Sequence, residues 1–102
     1  MGFQRVVAFA ELREGELHPC AVDGVDVVVA RIGERVFAYE DACPHAGAPL
    51  SESMLRGCVL ICERHGWQFD VATGDALPPA RAALTSYAVE VHGGHVFVDV
   101  KS

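Results

Sequence analysis

The stretch LHPCAVDGVDVVVARIGERVFAY, residues 17–39, reads as three strands joined by two tight turns. Its apolar and β-branched residues alternate or run continuously over 17–22, 25–32 and 35–39, and Asp23-Gly24 and Gly33-Glu34 interrupt them. Such pairs supply the positive backbone torsions that two-residue hairpin turns need. The same rhythm continues outward over 3–9, 59–62, 67–71, 87–91 and 96–100, with Thr73-Gly74 and Gly93-Gly94 as further turns. The pattern predicts an all-β, hairpin-rich chain. Only residues 10–14, closed by Gly15, look helical, and they make barely one turn. Two segments break the rhythm and are expected to be loops: 41–57, rich in small residues and proline, and 77–83, which begins with Pro78-Pro79 at its second residue.

With 102 residues, 51% of them hydrophobic, the chain is expected to fold as a single domain, residues 1–102. No apolar run approaches the ~18 residues of a membrane helix, and the start MGFQRVVAF lacks the charged and then apolar pattern of a secretory leader. A soluble, cytoplasmic protein without a membrane partner is therefore expected. Fourteen acidic residues stand against eight basic ones, for a net charge of −6, and the only lysine is Lys101. That balance disfavours nucleic acid as a partner. Acidic excess mainly serves solubility, and the charges nearest the motifs described next, Glu40, Asp41, Glu52 and Glu63 against Arg56 and Arg64, form no run.

Two short blocks carry the chemistry: Cys43-Pro44-His45 and Cys62-Glu63-Arg64-His65. Residues two apart in an extended loop project to one side, so Cys43 and His45 can face one site, with Pro44 stiffening the loop. A β-turn brings residues three apart within about 7 Å between Cα atoms, and Gly66 lets the chain bend away directly after His65. Two soft sulfurs and two imidazole nitrogens make a metal set. Structural zinc is one legitimate holder of Cys₂His₂, although zinc modules favour CxxC knuckles and paired histidines. Cys20 and Cys58 are read as small buried hydrophobes outside the site. His92 and His95 flank the Gly93-Gly94 turn with no carboxylate to complete a facial triad, so no mononuclear iron site is expected there, and His18 adds none.

The runs CPHAGAPL, residues 43–50, and CERHGWQFDVATG, residues 62–74, resemble the two motifs of Rieske iron-sulfur proteins. The resemblance implies a small antiparallel sandwich of Rieske type with an inserted cluster-binding subdomain of two loops, roughly residues 41–75. It implies one 2Fe-2S cluster with Cys₂His₂ ligation, Cys43 and Cys62 on one iron and His45 and His65 on the other. It also implies that the two histidines sit at an exposed tip, where a partner can reach the cluster. Pro44, Ala46 and Pro49 are expected to form an apolar docking rim, with Pro78 and Phe69 as further neighbours of the site. Trp67 either joins that rim or packs beneath the loop.

High-potential members of the family carry a disulfide between the loops and two hydroxyl residues that bond cluster sulfurs. The matching positions here hold Ala48 and Arg64, and Trp67 and Phe69. Without those hydrogen bonds the more negative reduced state is less stabilised, which predicts a potential near the low end of the Rieske range, about −150 mV. Because oxidation favours loss of an imidazole proton, the potential is expected to fall at alkaline pH. The resemblance points to a non-catalytic, monomeric ferredoxin of a multicomponent aromatic-ring dioxygenase system. Its partners would be a flavin-dependent NAD(P)H reductase and a terminal oxygenase. The alternatives are the small subunit of an assimilatory nitrite reductase, an iron-sulfur redox sensor and a zinc-stapled interaction module.

Overall fold

A computed structural model of the chain describes residues 2–43, 49–62, 66–77 and 82–100. These form two antiparallel sheets. The larger runs in the order β1 (Gln4–Ala8), β10 (His95–Asp99), β9 (Ser86–His92), β4 (Arg35–Glu40), β3 (Val25–Ile32) and β2 (Leu17–Val22). It curls, so that its two edge strands β1 and β2 approach each other. Gln4 Nε2 reaches Asp23 Oδ1 across that gap at 2.6 Å. The smaller sheet holds β5 (Met54–Arg56), β6 (Val59–Ile61), β7 (Gln68–Asp70) and β8 (Ala76–Leu77) in sequence order.

Strand β3 lies between two cores, which explains its nearly unbroken run of valines. Val27 and Val29 point into the curl with Val7, Leu12, Val22, Ala38, Val96 and Val98. Val28 and Ala30 point the other way, onto a second core built with Tyr39, Leu50, Leu60, Phe69 and Val71. This second core fastens the smaller sheet to the larger one. At Gly74 a φ of +80° is combined with a close neighbour: a Cβ there would lie 3.1 Å from Tyr39 Cε1. The torsion strains any side chain there, and a Cβ would also crowd the Tyr39 ring.

All eight expected strands are present, most within a residue of the expected bounds. The helical turn falls at Phe9–Glu11, a 3-10 turn beginning one residue before the expected 10–14. The segment 41–57 is not all loop, because it contains a 3-10 turn, Leu50–Glu52, and strand β5. β5 was hidden because only its middle residue, Leu55, faces the core side, opposite Leu60. Two-residue β8 is too short to show alternation. Among the described residues, no helix is long and apolar enough to cross a membrane.

Candidate metal centre

Cys43 and Cys62 come together in the core between the two sheets. They are 1% and 2% exposed and share one apolar cluster with Leu50, Leu60 and Phe69. Neither forms a disulfide. Two thiols buried in hydrocarbon at the mouths of two loops suit a soft metal, which stabilises thiolate where a bare anion would be costly. The donor chemistry therefore fits an iron-sulfur centre. His45 and His65, with Pro44, Ala46, Ala48, Arg64 and Pro78, lie outside the described residues. Among the described residues, no three metal-binding side chains gather at one point.

The second loop is pinned by its own backbone. Cys62 donates its N–H to the Trp67 carbonyl at 2.8 Å, and Gly66 donates to the Cys62 carbonyl at 2.9 Å. Gly66 adopts φ +71°, the left-handed torsion that lets the chain turn back sharply. Phe69 is fully buried on β7 opposite Leu60, and Trp67 packs partly buried against the same core. Their ring centroids are 6.3 Å apart in a tilted pair. Trp67 thus takes the packing role left open by the sequence. Phe69 is a core residue and forms no part of the surface rim.

The first loop is closed by a contact that motif reading overlooked. Asp41, just past β4, accepts the Ser51 backbone N–H at 2.7 Å through Oδ1 and the Ser51 hydroxyl at 2.8 Å through Oδ2. Cys43 lies two residues inside this closure at one end, and the fully buried Leu50 one residue inside at the other. The 3-10 turn at Leu50–Glu52 follows Pro49, which provides no side-chain cap. An uncapped turn start is a sequence signal that an acceptor must come from elsewhere. Pro49 itself is exposed, as a rim residue should be.

The other cysteines divide. Cys20 on β2 is half-buried against the core of the larger sheet. Burial, and then the Asp41 carboxylate, push its thiol up, which keeps it protonated. Cys58 is exposed, contrary to the expectation of burial. The apolar run CVLIC enters strand only at Val59, and Cys58 occupies the turn after Gly57, where its carbonyl accepts the Val71 N–H at 2.8 Å.

Comparison with known proteins agrees with the geometry. The Rieske [2Fe-2S] domain matches residues 2–88. The chain is 36% identical over 94 residues to the alkene monooxygenase system ferredoxin component of Xanthobacter autotrophicus, covering 91% of this chain and 77% of that one. The ferredoxin of carbazole 1,9a-dioxygenase from Nocardioides aromaticivorans superposes with a TM-score of 0.89 at 31% identity, over 96% of this chain and 97% of that one. A ferredoxin seen in complex with the oxygenase of carbazole 1,9a-dioxygenase superposes with a TM-score of 0.86 at 35% identity, over 94% and 100%. The chain belongs to the Rieske [2Fe-2S] family. These relatives are electron-carrying ferredoxin components of oxygenase systems, not their catalytic subunits.

Proposed function

We propose that this chain is a one-electron carrier that takes electrons from a flavin-dependent NAD(P)H reductase and delivers them to a terminal oxygenase. In this reading Cys43, His45, Cys62 and His65 hold the 2Fe-2S cluster, and the subdomain expected over residues 41–75 corresponds to the two loops with most of the smaller sheet. The observation that carries it is the burial of Cys43 and Cys62 in one core at the mouths of two loops. The oxygenase-bound ferredoxin, so similar in fold, supports an oxygenase as the acceptor. The names of the relatives favour that acceptor over a nitrite reductase.

The cluster would supply a single reversible electron. The protein's residues bury the thiolate side in hydrocarbon, and a partner would dock at the histidine side. Phe69 and Trp67 bring no hydroxyl to the cluster sulfurs, which supports a potential at the low end of the family range, about −150 mV. The visible spectrum of the purified protein and the electron paramagnetic resonance of its dithionite-reduced form test the cluster, and voltammetry tests its potential. A colourless, signal-free protein would overturn the reading. A midpoint well above zero would overturn the low-potential assignment alone.

A further inference from the structure

We propose that Asp41 is the positioning residue of the first ligand loop. Its carboxylate acts as a two-pronged latch on Ser51 that holds Cys43 in place. The inference rests on the Rieske reading for what Cys43 binds, but the latch itself is visible in the protein alone.

Both carboxylate oxygens are engaged by the same residue, one by a backbone N–H and one by a hydroxyl, at 2.7 and 2.8 Å. The N–H bond has the short distance of a charge-assisted hydrogen bond, and the hydroxyl bond has an ordinary one. They close a ring through the chain from Asp41 to Ser51, which restricts its described members Ala42, Cys43, Pro49 and Leu50. Each foot of the ring is fixed independently. Asp41 donates its backbone N–H to the Asp26 carbonyl at 3.0 Å, tying that foot to β3. At the other foot, Ser53 donates to the Leu50 carbonyl at 2.9 Å, closing the 3-10 turn, and Leu50 is buried beside Cys43 and Cys62. The turn has no cap of its own, so Asp41 supplies the acceptor that its first turn lacks. Asp41 is only partly buried and adds nothing to the apolar core, so its role is geometric.

The test compares wild type with Asp41→Ala, Asp41→Asn and Ser51→Ala. Three quantities are read: release of iron to a chelator, the g values of the reduced protein, and hydrogen exchange at the Ser51 amide. Asparagine keeps an acceptor for the Ser51 N–H and offers its amide to the hydroxyl oxygen, so it preserves the latch without the charge. Asp41→Ala should release iron at least about tenfold faster, shift the g values and lose protection at Ser51, as expected for removal of two hydrogen bonds to a charged group. Asp41→Asn should stay within about twofold of wild type, and Ser51→Ala should fall between them. Unchanged release and g values in Asp41→Ala would overturn the proposal, as would equal acceleration in the alanine and asparagine variants. If Asp41→Ala does not fold, the remaining pair decides: faster release in Ser51→Ala than in Asp41→Asn supports the latch, and the reverse or no difference overturns it. A wild type without a cluster signal would defeat the Rieske reading, while Ser51 amide protection would still test the latch.

Discussion

Tyr39 donates its hydroxyl to the Val71 carbonyl, joining β4 of the larger sheet to the residue that follows β7 of the smaller one. Burial first, and then the Asp70 and Asp75 carboxylates, oppose the phenolate and push its pKa up to about 12. A group whose folded-state pKa is raised stabilises the fold fully below its unfolded value, near 10 for tyrosine, and loses that contribution as the pH rises through about 12. The urea midpoint of the wild type should therefore fall between about pH 10 and pH 12. Tyr39→Phe should be about 1 kcal/mol less stable at neutral pH and show a smaller alkaline fall. An equal fall in both proteins would remove Tyr39 as its cause. Phe69 invites the opposite experiment, because Phe69→Tyr would add a hydroxyl at a fully buried position beside Cys62. If that hydroxyl reaches a cysteine sulfur, the midpoint rises within the family span of about −150 to +300 mV. An unchanged midpoint with an intact cluster would show that the ring points elsewhere.

At the scale of elements, β6 links β5 and β7 in the smaller sheet: Leu60 faces Leu55 on β5 and Phe69 on β7 and is fully buried. Leu60→Ala leaves a cavity in the core that holds both cysteines and should cost about 2–5 kcal/mol in urea unfolding, with cluster bleaching preceding global unfolding. A variant within about 0.5 kcal/mol of wild type would mean that the sheet collapses to fill the space. The long strands of the larger sheet were legible in the sequence because each spans several residues of β-branched alternation between turn pairs. Asp23 and Gly24, at φ 51° and 78°, have the torsions that such a turn requires. Two short strands, β5 and β8, were not legible. Three residues of β5 and two of β8 carry too little periodicity, and they exist because β6 and β7 offer them hydrogen-bonding edges.

At the scale of the whole molecule, the two cores divide the labour. The core inside the curl contains neither Cys43 nor Cys62, whereas the core between the sheets contains both. Removing the cluster should therefore loosen the protein unevenly. Hydrogen exchange after chelation should rise at Leu60 and Phe69 well before it rises at Val29 and Val98. A uniform rise across both groups would mean that the two cores unfold as one unit.

The sequence by itself determined the hairpin architecture and the two cysteine–histidine blocks, since strand alternation, turn torsions and ligand chemistry are all local properties. The residues around those blocks also marked the family, and Trp67 and Phe69 could be read as lacking hydroxyls without any coordinates. Only the tertiary structure decided that Cys58 lies outside the core while Cys43 and Cys62 lie within it, because burial depends on which sheet faces which. It alone joined Asp41 to Ser51, ten residues apart, and Tyr39 to Val71, thirty-two apart. A hydrogen bond across such a separation leaves no period in the chain, and it forms only once the fold has brought its two ends together.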